Sequence, residues 1–314
     1  MKLSQKNGVI TSALGLLAAL PLLTLLLGGS HFIDIATRIM IFAIAALSLD
    51  LILGFGGLVS FGHAGYLGIG AFSVGVLSYH GVGSGVLHLA TAIGVSGLCA
   101  LLIGLISLRT SGIHFIMITL AFGQMIYFLS TSVDTYGGED GLNIKRNSDF
   151  FGLLDLGNPM TMYYVVFSCL VIILVLCERL IRSRFGRVLQ GTRSNDRRML
   201  ALGYSTFRYK LAAYVISGSI CGFSGFLLAN QTLFVSPALA HWTRSAELMV
   251  MVILGGMGTL FGVILGTSVF MLLEAELSRI TDHWQLIFGP ILVFVILYAK
   301  GGIFGWITRA RLWR

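Results

Sequence analysis

The sequence predicts an all-α integral membrane protein, a single membrane domain over residues 1–314, and three observations carry that prediction. Hydrophobic residues make up 56% of the chain and charged residues only 11%, against about 25% charged in an ordinary soluble domain. The apolar residues are gathered into long runs, several near the roughly 20 residues that a helix needs to cross about 30 Å of hydrocarbon. The polar stretches between the runs are sorted by charge, one basic and one acidic. Helices are expected because each backbone polar group must find its partner within the spanning segment.

Six runs precede the basic block: Gly8–Leu27, Phe32–Leu53, Ala64–Ser78, Val86–Ile106, Gly112–Ser130 and Met162–Leu176. Four follow it: Leu211–Leu228, Ala246–Gly255, Gly262–Leu277 and Leu286–Tyr298. The reading is therefore about ten transmembrane helices, within a range of about 8–11. Ala246–Gly255 and Leu286–Tyr298 are short enough to be broken or tilted. The first run, behind Lys2 and Lys6, has the outline of a signal peptide, but it is long and lacks a small-x-small cleavage site, so it is taken as an uncleaved helix.

Charge sets the expected orientation. Nine of the 21 basic residues lie between Arg179 and Lys210, whereas the 132–161 loop carries Asp134, Glu139, Asp140, Asp149 and Asp155 against Lys145 and Arg146. Cytoplasmic loops collect Lys and Arg, which places 179–210 inside and 132–161 outside. Parity of the runs then puts both the N- and C-termini in the cytoplasm. A net charge of +8 is explained by such loops without nucleic acid as a partner.

The 40 glycines mostly fall within apolar runs, where small residues let helices approach closely, as expected at Gly94, Gly97, Gly218, Gly222 and Gly225. Two clusters exceed that explanation, Leu51–Gly62 and Val252–Gly262, which resemble each other from opposite halves of the chain. Paired glycine-interrupted segments point either to broken helices at a transport pathway or to two similar loops. Asp50, with no basic residue within a helical turn, must face protein or water, either in a pathway or capping backbone N–H groups of the broken segment. His63 after the first cluster is a hydrogen-bonded structural histidine or a proton carrier. Asp34 and Arg38, four apart, are expected to neutralise each other.

Cys99, Cys169, Cys177 and Cys221 lack metal-ligand spacing and are read as packing residues, so neither metal nor cofactor is expected. Gly222-Phe-Ser-Gly225 has the form used by intramembrane serine proteases, but the later histidines, His241 and His283, lie in polar connections. No G-x-x-x-x-G-K-[ST] loop occurs, so nucleotide-driven work would need another chain. Within the basic block, Ser194 can cap a short helix with Asp196 in its first turn, an apolar side of Met199, Leu200 and Leu202, and Gly203 at its end. Such a helix suits a docking surface, and a solvated positive loop is the plain alternative.

The stretch Ala46-Leu-Ser-Leu-Asp-Leu-Ile-Leu-Gly-Phe-Gly-Gly-Leu-Val-Ser-Phe-Gly-His-Ala-Gly-Tyr-Leu-Gly-Ile-Gly-Ala71 closely resembles the signature of LivM-type permeases of branched-chain amino acid ABC importers. Thr119-Leu-Ala-Phe-Gly-Gln124, Gly137-Gly-Glu-Asp-Gly-Leu142, the Val252–Gly262 cluster and the Gly186–Gly203 loop are similar to further motifs of that family, in its order. The chain departs from it at Ser194-Asn-Asp-Arg-Arg-Met and at Ala299-Lys-Gly-Gly302. The resemblance implies a bacterial cytoplasmic (inner) membrane permease without its own ATPase. Its partners would be a second LivH-like permease, two cytoplasmic ATP-binding subunits and a periplasmic or surface substrate-binding protein. It implies a pathway drawn from Asp50, Gly56, Gly57, Ser60, Phe61, Gly62, His63, Gly255, Gly256, Gly258 and Thr259. Coupling to the ATPase would fall to Arg193, Asn195, Asp196, Arg197, Ala201, Leu202 and Gly203. Branched-chain amino acids are the expected cargo, with urea or short amides as the alternative and an ion-coupled transporter or protease as distant ones.

Overall fold

The computed structural model describes residues 30–150, 152, 155–280, 283, 286–290, 293, 301–303 and 305. The expected first span, Gly8–Leu27, lies outside them, and Leu286–Tyr298 lies largely outside. The described helices are α1 (Ser30–Asp50), α2 (His63–Tyr79), α3 (Gly85–Ser107), α4 (Ile113–Ser132), α5 (Pro159–Arg182), α6 (Arg184–Ser194), α7 (Asp196–Ala201), α8 (Thr206–Thr232), α9 (Trp242–Gly255) and α10 (Leu260–Ile280). Six segments among the described residues are long and apolar enough to cross a membrane: Phe32–Phe55, Gly85–Ser107, Ile113–Ser132, Pro159–Arg182, Thr206–Thr232 and Leu260–Arg279. The chain is thus an all-α, multi-pass membrane protein.

α2 and α9, with 17 and 14 residues, are shorter than a span requires. Both begin inside the bundle: Ala64 N–H at the start of α2 donates to Ser245 Oγ in the first turn of α9, at 2.9 Å. Each helix start therefore sits against the other in the interior. This supplies a partner for one of the donors that α2 leaves unpaired at its N-terminus.

α1 lies at the centre, with Ile41 to Ala46 wholly buried apart from Phe42 at 2% exposure. α4 has only 17% of its apolar window buried, so its outer face meets something other than this chain. α2 and α8 cross at glycines. A Cβ on Gly70 would collide with the backbone of Gly222, and one on Gly225 with the carbonyl of Leu67. Gly97 packs on Ser219, whereas Gly94, expected at a helix contact, faces open space within this chain.

At one end of the bundle the 132–161 segment forms a 3₁₀ turn (Asp134–Tyr136) and a strand, β1 (Leu142–Asn143). β1 pairs antiparallel with β2 (Phe234–Val235), Leu142 opposite Val235. Asn230 Oδ1 accepts from Ser148 N–H at 2.8 Å, holding the segment to the end of α8. Arg38 does not pair with Asp34 as expected: its guanidinium lies 5.8 Å over the Phe42 ring and lines a pocket with Glu274 and Arg279. Cation–π attraction to a ring one turn on competes with the carboxylate one turn back.

The opposite end carries residues 179–210. α5 runs through Arg182, and two helices follow where one was expected. α6 extends through Ser194, so the cap of α7 falls to Asn195, whose Oδ1 accepts from Arg198 N–H at 3.0 Å. Gly203, at φ +87°, ends α7: its N–H donates to Leu200 O at 2.9 Å and Tyr204 N–H to Met199 O at 3.1 Å. That is the paired bond pattern of a Schellman termination.

Candidate functional site

The two glycine clusters, about 200 residues apart in sequence, meet at the end of the bundle that carries α6 and α7. α1 passes into one π turn (Leu51–Phe55) and the chain then leaves the helix, with Leu58 N–H reaching back to Ile52 O at 2.9 Å. Gly57, at φ +71°, makes the reversal. From the other half, α9 ends at Gly255, Gly256 and Gly258 take positive φ, and Thr259 Oγ1 donates to Gly256 O at 2.5 Å before α10 begins. A Cβ on Gly258 would stand 3.3 Å from Gly54 O, so the two turns touch backbone to backbone.

Asp50 joins them. It is fully buried, and its Oδ1 accepts from Gly258 N–H at 2.8 Å. Oδ2 has no hydrogen-bond partner among the described residues. Of the two roles the sequence allows, capping backbone N–H is the one its geometry displays, although the N–H belongs to the distant cluster and not to its own. Gly301 and Gly302 close over the second turn: a Cβ on Gly256 would lie 2.5 Å from Gly301 O.

The seven residues expected at the ATPase divide into two groups. Arg193 is exposed overall but reaches back to the first glycine turn, its Nη1 donating to the carbonyl of Gly54 and its stem lying where a Cβ on Gly57 would be 2.9 Å from Cγ. Asn195 caps α7, and Asp196 pairs with Lys210 at 3.1 Å. Arg197, Ala201, Leu202 (66% exposed) and Gly203 are exposed, as are Arg193 and Asn195, but make no such tie, and Leu200 beside them is 53% exposed. Met199 packs instead on Gly191 of α6, so the apolar side is split between an inward residue and two outward ones.

Ser60, Phe61, Gly62 and His63 lie deeper, between α2, α4 and α8. Phe61 N–H donates to Thr119 Oγ1 at 3.2 Å, and a Cβ on Gly62 would meet Thr119 O at 2.6 Å. His63 Nε2 is 2.7 Å from Ser217 Oγ, whose proton goes to Ser48 O. A hydroxyl has one proton to give, so Nε2 is the donor of that pair and His63 is a buried, hydrogen-bonded histidine. Tyr66 Oη donates to Tyr214 Oη at 3.0 Å, and Tyr214 Oη is 3.5 Å from Ser60 Oγ. Tyr66, Tyr214, Ser217 and Thr119 are the residues that sequence reasoning missed. The Tyr214 and Ser217 pair, three apart on one face of α8, was the available signal. An apolar groove of about 390 Å³ between α2, α3 and α4, lined by residues such as Phe72, Val95 and Leu129, contains none of the predicted pathway residues.

Ser224 of the Gly-x-Ser-Gly run donates to Cys221 O of its own helix at 2.7 Å, and its flanking glycines are the α2 and α8 crossing points. The motif is a packing feature.

The sequence profile of the family described as "Branched-chain amino acid transport system / permease component" matches residues 31–297. The chain is 31% identical to the high-affinity branched-chain amino acid transport system permease protein LivM of Escherichia coli (strain K12), over 86% of this chain and 69% of that protein. A probable branched-chain amino acid transport permease protein LivM of Methanocaldococcus jannaschii is 23% identical over 86% and 93% of the two chains. The fructose import permease protein FrcC of Rhizobium meliloti is 26% identical over 67% and 61%. No solved structure matches the chain significantly.

Proposed function

This chain belongs to the permease family of branched-chain amino acid transport systems, and from that premise we propose how it works as the membrane-spanning subunit of an ABC importer. It is a multi-pass membrane transport subunit and not an enzyme. Its setting is the bacterial cytoplasmic membrane, with both termini inside and about ten spans, counting the six long helices, the shorter α2 and α9, and the Gly8–Leu27 and Leu286–Tyr298 runs. Its partners are a second LivH-like permease, two ATP-binding subunits and a substrate-binding protein that delivers branched-chain amino acids to the 132–161 end.

The observation that carries this reading is the junction at the 179–210 end, where a basic two-helix segment with exposed Leu200 and Leu202 reaches back through Arg193 to the first glycine turn, which itself lies against the second. An ATPase seated on α7 would push on an element already tied to the broken helices. ATP-driven closure of the ATPase pair can then shift the permease between outward- and inward-facing populations. The glycine clusters supply the turns at which such a shift is absorbed.

The test is co-purification with the neighbouring permease and ATPases, followed by ATPase activity in liposomes with Leu, Ile, Val, urea and ribose. Stimulation by the branched-chain amino acids in the presence of the binding protein is expected. Stimulation by urea or ribose alone would reassign the cargo, and failure to associate with any ATPase would refute the reading.

A further inference from the structure

We infer that Arg193 is a positioning residue for transport, a two-position latch that holds the Gly54 carbonyl in this state and passes to the free oxygen of Asp50 in the other. The inference rests on the permease reading above and adds the residue through which movement crosses from the ATPase side to the glycine turns.

Four observations meet at this point. Arg193 stands in the last turn of α6, and its guanidinium donates to Gly54 O, an acceptor left at the end of α1 where the chain unwinds. Its stem passes over Gly57, where any side chain would press on it. Nη1 would be 3.8 Å from a Cβ on Gly258, so the guanidinium faces the second turn as well as the first. Within its electrostatic reach lies the Asp50 carboxylate, with Oδ1 committed to Gly258 N–H and Oδ2 buried and unpartnered among the described residues.

A guanidinium carries five N–H donors, and a carboxylate is a stronger acceptor than a neutral carbonyl. A small shift of α6 therefore exchanges one bond for another while the charge stays in place. A buried carboxylate oxygen left without a donor is disfavoured, which is what a partner used in a second state leaves behind in the first. The route from the surface is short: Leu200 and Leu202 are exposed on and just after α7, Met199 of α7 packs on Gly191 of α6, and Arg193 is two residues on. Both ends of the latch are on backbone or carboxylate groups of the broken helices, so its position selects how the two turns sit against each other.

The test uses the complete reconstituted assembly and reads substrate imported per ATP hydrolysed, a ratio that a merely structural loss of protein does not move. Arg193→Ala is expected to lower that ratio by about tenfold or more, the size of an ordinary coupling free energy, with the ATPase subunits still co-purifying. Arg193→Lys is expected to recover much of it, and Asp50→Asn, which replaces the free acceptor by a donor, to reproduce the loss. An unchanged ratio in Arg193→Ala would overturn the latch. Loss of ATPase association in that variant would also overturn it, making Arg193 a docking residue. A wild-type assembly that hydrolyses no ATP refutes the permease reading and the inference with it.

Discussion

Glycine does two different jobs in two regions of this molecule. Where α2 crosses α8, Gly70, Gly222 and Gly225 are helical, and their absent side chains are the space in which one backbone lies against the other. At the α6 end, Gly57, Gly256 and Gly258 are there for conformation, holding positive φ while the chain leaves a helix. The first region is closed by close packing and by a polar cluster of Tyr66, Tyr214, His63 and Ser217. The second is held by a few directional bonds, Asp50 to Gly258 and Arg193 to Gly54, with one carboxylate oxygen unpartnered among the described residues. Dense packing resists small displacements, whereas a junction of few bonds between turns has alternative partners. The contrast assigns scaffold to the crossing and movement to the turns.

The most damaging way to probe it is Gly70→Ala. The added methyl meets the Gly222 backbone, which cannot rotate away, and the helices must part. A loss of about 2–3 kcal/mol or more is expected, seen as a fall in folded protein by detergent thermal-shift and size-exclusion profiles. Next comes Gly258→Ala, where the φ of +77° costs an L-residue about 1–2 kcal/mol and the Cβ approaches Gly54 O at 3.3 Å. This variant is expected to fold and insert but to lose most uptake of branched-chain substrate, the opposite pattern to a scaffold defect. Leu202→Asp, at a position 66% exposed, is expected to leave thermal stability unchanged and to weaken ATPase association in a pull-down. Smallest of all, Gly94→Ala should alter neither stability nor uptake, because a Cβ there meets nothing within 4 Å. A loss of assembly in that variant would place another chain on the outer face of α3.

Much of this was legible in the sequence. The helices from Phe32 to Leu277 are visible as apolar runs because the bilayer imposes length and composition on them. The special character of the two glycine clusters was legible too, since packing alone does not explain Gly-Phe-Gly-Gly or Gly-Gly-Met-Gly. What sequence does not carry is the pairing across it. Asp50 and Gly258 are 208 residues apart, and only the closed bundle makes the one cap the other. Arg193 is expected in sequence only as one of the residues facing the ATPase, and its tie to the glycine turn shows only when the Gly54 carbonyl appears beside it. Ser194 and Asn195 are both able to cap, and the choice fell to Asn195 because a second helix, α6, which the sequence did not announce, runs through Ser194. The β1 and β2 pair is invisible for a simpler reason: two residues per strand are too few to show an alternating pattern.

The central claim is that this chain moves its cargo by work done on α6 and α7 by a separate ATPase. It is tested most directly by uptake of labelled leucine into proteoliposomes that contain the chain, its second permease and the ATPases, with binding protein outside and ATP inside. The account predicts uptake that requires both ATP and binding protein and that Leu202→Asp lowers in step with its weaker ATPase association. Uptake driven by an ion gradient through this chain alone, indifferent to ATP and to Leu202, would contradict it.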